Sequence, residues 1–208
     1  MSLLTYGQIN YKPKVVVLDP YQTKYDPALL KEIEPFSAEY LSTPEEDKHY
    51  LDSIKNEKGN IQKMKIAEWE FRKKMDFGSE FSLSLDIMLM YFIFGETDKC
   101  LVFPSHDTSN GQISSLKNVA KRHDVLWVVN PLLFQTYLKD GNKYSKAVIQ
   151  VYDVKKNKIV LTKEYTGDTK SPGFELSCET GTLECTINNI LNPCLNDVIL
   201  SILKHYQH

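Results

Sequence analysis

The chain has 208 residues, of which 42% are hydrophobic and 25% charged, and its formal net charge is −2. These values are typical of an ordinary globular protein and argue against a disordered or low-complexity chain. Positive and negative residues are interleaved, so the sequence offers no basic face to nucleic acid or to an anionic membrane. We expect a single α/β domain over residues 1–208, with residues 1–13 extended or derived from cloning.

A buried strand is predicted near the start of the chain. Residues 15–18 form an apolar run rich in β-branched side chains, and Asp19-Pro20 closes it. Pro27, Pro35 and Pro44 interrupt the following stretch, where only short helical turns are therefore expected.

A long helical section is predicted over residues 43–95. Ser42 or Thr43 can cap its first helix, with Pro44 at the first helical position. Ser79 is expected to cap a more apolar helix ending at Gly95. The strongest apolar run, residues 83–94, is shorter than the roughly 18 residues that span a bilayer, so no transmembrane segment is expected.

The second half of the chain alternates strands and helices. A short strand is predicted in "KCLVFPS", a helix in "NGQISSLKNVAKRHD", and a strand with a looser apolar stretch in "VLWVVNPLLFQTYL". A hairpin with its turn at residues 155–158 follows, and a closing helix is entered through Thr186, with Pro193 as its one irregularity. The order predicts an α/β (α+β) fold, a mixed β-sheet of about five strands flanked by helices.

The four cysteines are interpreted as disulfide candidates. Cys178 and Cys185 flank a Gly-containing segment that can turn back on itself, so we expect these two to be bridged. Cys100 and Cys194 form the second bridge if the strand near residue 100 lies beside the last helix. The alternative is that all four are thiols buried in a cytosolic protein.

Neither a metal nor a redox role is expected for these cysteines. Their spacing fits neither a thiolate zinc site nor a C-x-x-C motif. No Gly-rich phosphate-binding motif occurs, and no cofactor is expected.

The segment "FPSHDTSNG" is the predicted ligand-binding loop. Ser105, His106 and Asp107 follow a strand, where α/β proteins often bind ligands. They are also the residue types of an acyl-transfer triad, but sequence neighbours cannot point at one another as that mechanism requires. We therefore assign no catalytic residue. Trp69 and Phe71, which lie between charged residues on a helix, are noted as a possible partner surface.

The order of elements resembles a group of small bacterial cell-envelope proteins. A first strand like "VVVLDP", a helix running into a strand as in "LKNVAKRHDVLWVVN", and the hairpin "VIQVYDVKKNKIVLTKEY" followed by a helix are similar to the curli-secretion lipoprotein family. They also resemble polysaccharide-export lipoproteins and the amino-terminal domain of the Tol-system propeller protein. The resemblance spans roughly residues 14–205 and implies envelope location and protein–protein work. It supplies no catalytic residues, and the helical section over residues 43–95 is longer than in that group.

The leading hypothesis is a non-enzymatic protein of the periplasm or cell envelope that binds other envelope proteins or itself, in which peripheral or lipid-anchored membrane association is allowed. One alternative is a secreted or periplasmic hydrolase that uses the loop around His106. Another is a cytosolic small-molecule-binding protein.

Overall fold

The computed structural model describes residues 13–38, 43–90, 100–170 and 178–204. Within them the strands are β1 (Lys14–Leu18), β2 (Gln22–Tyr25), β3 (Leu101–Ser105), β4 (Trp127–Lys139), β5 (Asn142–Asp153) and β6 (Lys158–Asp168). The α-helices are α1 (Leu30–Ala38), α2 (Pro44–Ile54), α3 (Gly59–Arg72), α4 (Phe77–Ile87), α5 (Ile113–His123) and α6 (Leu183–Leu203). A short 3₁₀ turn at Pro27–Leu29 precedes α1.

The strands form one mixed sheet. Its order is β3-β1-β4-β5-β6, and β2 pairs with the far part of β4. β1 is parallel to β3 and to β4, whereas β4, β5 and β6 are successive antiparallel neighbours. The predicted fold class, a mixed sheet flanked by helices with a helical section after the first strand and a helix at the end, is confirmed.

Strand alternation divides the core between the two faces of the sheet. Val15 and Val17 face a large cluster that contains side chains of α1, α3, α4 and α6, and we call this side the helical face. Val16 and Leu18 face a smaller cluster supplied by α5, and we call that side the α5 face. All four side chains are fully buried, because successive residues of a strand point to opposite faces and both faces are covered here.

β1 and β2 lie end to end along the same edge of β4. Val17 pairs with Val129, and Gln22 pairs with Leu133 after a bulge in β4. Pro20, which has no N–H, stands between the two strands, and the Tyr21 N–H then donates to the carbonyl of Pro131 at 2.9 Å. The prediction of a looser apolar stretch after residue 130 is therefore wrong. β4 continues to Lys139 because β2 and β5 pair with it on either side.

Two of the predicted helix caps are displaced towards the amino terminus. α4 is capped by Asp76, whose carboxylate accepts from the Ser79 N–H at 2.8 Å, so Ser79 is inside the helix. α6 is capped by Thr182, and the Thr186 hydroxyl is buried and donates to the carbonyl of Leu183. The expected end of the apolar helix at Gly95 lies outside the described residues.

Thr43 caps α2 as predicted. Its side chain accepts from the Glu46 N–H while the Glu46 carboxylate accepts from the Thr43 N–H, which is a complete capping box. α1 differs from the expectation of short turns, because it runs for nine residues with Pro35 inside it. Pro35 has no N–H and so removes one helical hydrogen bond from α1. Leu29, just before the helix, and Ile33 within it are buried in the helical-face core.

Two hairpins build the antiparallel half of the sheet. The predicted hairpin of β5 and β6 is present, with its turn at residues 154–157. A second hairpin, not predicted, joins β4 to β5 through Asp140 and Gly141, whose φ angles are 51° and 76°. A two-residue hairpin turn of type I′ requires positive φ at both central residues, and Asp-Gly is one of the sequences that favour it.

Candidate functional site

Polar side chains gather where β1 and β3 end. Asp19 follows β1, Ser105 ends β3, and His106 and Asp107 come next in the chain. The Asp19 N–H donates to the carbonyls of Ser105 at 3.0 Å and Asp107 at 3.1 Å, which holds the two loops together. Arg122 and His123, at the end of α5, complete this group, which we call the carboxyl-end cluster. Parallel strands place their carboxyl ends at one edge of a sheet, and the cluster forms for that reason.

The three residues of the predicted ligand-binding loop point to different faces. Ser105 and Asp107 contact α5, whereas His106 contacts the end of α3. Successive side chains of extended backbone alternate in direction, so His106 lies on the opposite side from its two neighbours. Ligand binding by this loop stays a prediction.

On the α5 face, His123 joins the two loop residues. Its Nε2 lies 2.7 Å from Asp107 Oδ2 and 3.3 Å from Ser105 Oγ, and the Arg122 guanidinium donates to Asp107 Oδ1 at 2.7 Å. In an acyl-transfer triad the serine and the aspartate contact different ring nitrogens. Here both contact Nε2, so the arrangement binds α5 to the loop and does not prepare Ser105 as a nucleophile.

On the helical face, His106 is held by two oxygen atoms. Its Nδ1 lies 2.6 Å from Asp19 Oδ2, and its Nε2 lies 2.9 Å from the carbonyl of Phe71 at the end of α3. The imidazole also stacks on the Phe71 ring, with centroids 4.2 Å apart and planes 6° from parallel. Both ring nitrogens of His106 have oxygen partners within the protein, so this geometry adds no support to the alternative of a hydrolase that uses the loop around His106.

Asp19 and His123 are far from this loop in sequence, and no local pattern predicts that they contact it. The contact of His106 with the Phe71 carbonyl could not be predicted from residue types, since any residue at that position of α3 would supply the same main-chain carbonyl. Phe71 itself is buried, so it does not contribute to a partner surface. Trp69 donates its indole N–H to Asp47 at 2.9 Å and contributes to helix packing.

Cys178 and Cys185 are joined by a disulfide, with their Cα atoms 5.3 Å apart. The bridge ties Cys185, in the first turn of α6, to Cys178, which precedes the helix. The expected pairing of Cys100 with Cys194 is not formed, and both side chains are buried thiols. Cys100 immediately precedes β3 at one edge of the sheet, whereas Cys194 lies in α6 over β5 and β6 near the other edge, so the two are too far apart. Burial raises the pKa of the Cys194 thiol, which keeps it protonated.

No group of three or more His, Cys, Asp or Glu side chains in the described ranges is arranged to hold a metal ion. The helices that can be described include none that is both long and apolar enough to cross a bilayer.

Asp86 of α4 is a fully buried acid, and neither of its carboxyl oxygens has a hydrogen-bond partner in the structure. Burial, and then the charge of Glu68, raise its pKa well above the ordinary value, while the charge of Arg72 acts in the opposite direction. Burial therefore favours the neutral form, because an ionised carboxylate without a partner is costly to bury.

In the part of the chain that the structure describes, no helix forms a core cluster on the far half of the α5 face. Beyond the cluster under α5, the strands β4 and β5 present Leu133, Tyr137, Tyr144 and Val148, all partly exposed, and we call these four residues the open face. The Tyr137 and Tyr144 rings stack across the two strands with centroids 5.5 Å apart. Lys146, which pairs with Gln135 between the two apolar pairs of this face, lies 3.5 Å from Glu164 of β6.

Comparisons with known proteins give little further information. No protein-family model and no curated protein matches the sequence. Among solved structures, the chain is similar to the hypothetical protein CT253 of Chlamydia trachomatis, with 10% identity, 93% of this chain and 98% of that chain covered, and a TM-score of 0.41. It is also similar to the LpoB C-terminal domain of Salmonella enterica, with 10% identity, coverage of 74% and 82%, and a TM-score of 0.25. At these TM-scores neither likeness carries an argument about fold or function.

Proposed function

We propose that this chain is a non-enzymatic protein-binding or assembly module of the bacterial cell envelope, folded as one domain, and that the open face is its contact surface. The observation that carries the proposal is the partial exposure of apolar side chains on one half of one face of the sheet. On the helical face Phe134, Ala147 and Ile149 of β4 and β5 are fully buried, whereas on the open face the same two strands leave aromatic and aliphatic side chains partly exposed.

The chemistry of the open face suits a protein partner. Two stacked tyrosines combine apolar area with hydroxyl groups, and tyrosine is enriched at protein interfaces for that reason. Leu133 and Val148 add an apolar pair, and the polar pair of Gln135 and Lys146 lies between it and the two tyrosines. Interfaces between proteins combine apolar and polar side chains, and many are no more apolar overall than the rest of a protein surface.

The disulfide supports a compartment outside the cytosol. The Cys178–Cys185 bridge supports an oxidising environment, because structural disulfides persist outside the reducing cytosol. Envelope location, which the resemblance to curli-secretion and related lipoproteins implies, agrees with that chemistry.

Site-specific photo-crosslinking tests the contact surface. A photoreactive phenylalanine is placed at Tyr144 on the open face, and a matched control places it at Leu200, an exposed apolar residue of α6 on the opposite side of the sheet. We expect a protein adduct, of this chain or of another envelope protein, from Tyr144 and none from Leu200. Equal adduct formation at the two positions, or none at Tyr144, contradicts the proposed surface.

The compartment is tested separately. Cells that produce the protein are quenched with acid and alkylated, and the thiols of the protein are counted by mass spectrometry. We expect two alkylated cysteines, Cys100 and Cys194, and an intact Cys178–Cys185 bridge. Four alkylated cysteines would place the protein in a reducing compartment.

A further inference from the structure

We propose that His106 is a pH-sensitive latch: as an imidazolium it fastens the end of α3 to the loop between β1 and β2, and when it becomes neutral it releases α3. The inference does not depend on the proposed function. It rests on the two hydrogen-bond partners of the imidazole and on their chemistry.

Both partners of His106 are oxygen atoms that only accept. Asp19 presents a carboxylate oxygen to Nδ1 at 2.6 Å, and Phe71 presents a main-chain carbonyl to Nε2 at 2.9 Å. A neutral imidazole carries one N–H and one lone pair, so it can donate to one of these oxygens only. The doubly protonated ring donates to both, and the observed geometry therefore belongs to the imidazolium.

The charges that face the imidazole favour the same form. The hydrogen bond to Asp19 is the main cause that raises the pKa of His106, and the Asp19 charge and the Phe71 carbonyl act in the same direction. Partial burial opposes this change, as does the charge of Lys74 from the turn after α3. Asp107 is directed away, towards α5.

Loss of one proton breaks the weaker of the two contacts. A neutral ring keeps its proton on Nδ1, where the Asp19 carboxylate accepts it in a charge-assisted bond. The Nε2 lone pair then faces the Phe71 carbonyl, and the two repel each other. The Phe71 carbonyl also accepts from the Lys74 N–H at 3.3 Å, so it is part of the turn that follows α3. The segment released is therefore the end of α3 together with the turn that leads to α4.

The sign of the pH effect follows from the raised pKa. The latch contributes its full stabilisation below the ordinary histidine pKa of about 6.5, and the contribution disappears as pH rises through the higher value of the folded protein. The latch is therefore closed in mildly acidic conditions and open in alkaline ones.

Hydrogen exchange measured by mass spectrometry tests the latch on the whole protein. After correction for intrinsic rates, we expect peptides covering residues 69–76 to lose protection about tenfold between pH 6 and pH 9. His106→Gln should remove that pH dependence, whereas His49→Gln, at an exposed position of α2, should leave it unchanged. Unchanged protection across the pH range in the wild-type protein, or a pH dependence retained in His106→Gln, would overturn the proposal.

A second variant keeps the proposal testable if His106→Gln fails to fold. Asp19→Asn removes the charge that favours the imidazolium, so the His106 pKa should fall and the loss of protection should move to lower pH. Proton NMR titration of the His106 ring reports that pKa directly. A His106 pKa at or below the ordinary value in the wild-type protein, or one that Asp19→Asn leaves unchanged, would contradict the latch.

Discussion

The two faces of the sheet are covered to different extents. On the helical face, side chains from four α-helices of the described chain enclose the core, and Phe134, Ile149 and Val151 are fully buried there. On the opposite face, among the residues that the structure describes, only α5 contributes helical side chains to a core cluster, which reaches Val128 and Tyr152. Further along the same two strands, Leu133 and Val148 are partly exposed. We therefore expect the helical face to supply most of the stability, and we propose the other face as a surface for contacts.

This difference separates stability from binding within single strands. Neighbouring residues of β5 alternate between the buried core and the open face, so adjacent substitutions should have unequal consequences. Four experiments, in order of decreasing effect expected for the main variant, test how far that separation extends.

The largest effect is expected for Gly167→Ala in β6. Gly167 faces α6 so closely that an added methyl group would collide with the backbone carbonyl of Thr186. Since neither β6 nor α6 can move without disturbing the helical-face core, we expect a loss of roughly 3 kcal/mol or more in the free energy of unfolding. Urea unfolding measures it. Thr166→Ala, at the exposed neighbouring position, is the control and should change stability by less than about 0.5 kcal/mol.

Removal of the disulfide comes second. The bridge closes a loop between residues seven positions apart, and the chain-entropy relation gives about 2.5 kcal/mol for a loop of that size. The double variant Cys178→Ser, Cys185→Ser should lose that amount in thermal or urea unfolding. Reduction of the wild-type protein should reproduce the loss, and a reducing agent should leave the double variant unaffected. Equal stability with and without the bridge would contradict its structural role at the start of α6.

Asp86→Asn should increase stability at neutral pH. The folded state keeps Asp86 protonated because its pKa is raised, whereas the unfolded chain ionises above about pH 4. The folded state thus binds the extra proton, and wild-type stability falls as pH rises towards the folded pKa. We expect a clear gain in the free energy of unfolding at pH 7.5 and almost none at pH 4, measured by unfolding at both pH values. An equal gain at both would show that ionisation is not the cause.

The smallest effect on stability is expected on the open face. Val148→Thr keeps a β-branched side chain on a partly exposed position, so the free energy of unfolding should change by about 0.5 kcal/mol or less. Ile149→Thr, one residue further and fully buried, should cost about 3 kcal/mol. The comparison of the two variants is the direct test of the two faces. Similar losses would mean that Val148 is covered and that the open face is not a surface.

Much of the fold could be predicted from local patterns. The run of β-branched residues at 15–18, the capping signal at Thr43 and the polar turn of the β5–β6 hairpin each act through neighbours in sequence, and each is found where expected. β2 could not be predicted in this way. Its sequence, QTKY, is polar and short, and it is a strand because β4 offers an unpaired edge beyond the end of β1. Tertiary pairing overrides propensity there.

The carboxyl-end cluster was predictable in part. The position of Ser105, His106 and Asp107 after a strand indicated a polar loop at the edge of the sheet. Their division between two faces depends on α3 and α5, which approach from opposite sides. The partner of His106 on α3 is a main-chain carbonyl, which carries no sequence signal at all. The burial of Asp86 could not be predicted either. A single acid within an apolar helix gives the same sequence pattern whether its side chain points into the core or towards solvent.

The position of β1 has a consequence for how the chain folds. The β4–β5–β6 meander joins segments that are close in sequence, so it can form early. β1 enters the sheet between β3 and β4, and Lys14 reaches Asp124 across 110 positions of sequence. Closing that loop carries a large entropic cost before any contact compensates for it, so docking of β1 should be the slow, rate-limiting step. Substitutions in β1 should then slow refolding more than equally destabilising substitutions at the β5–β6 turn.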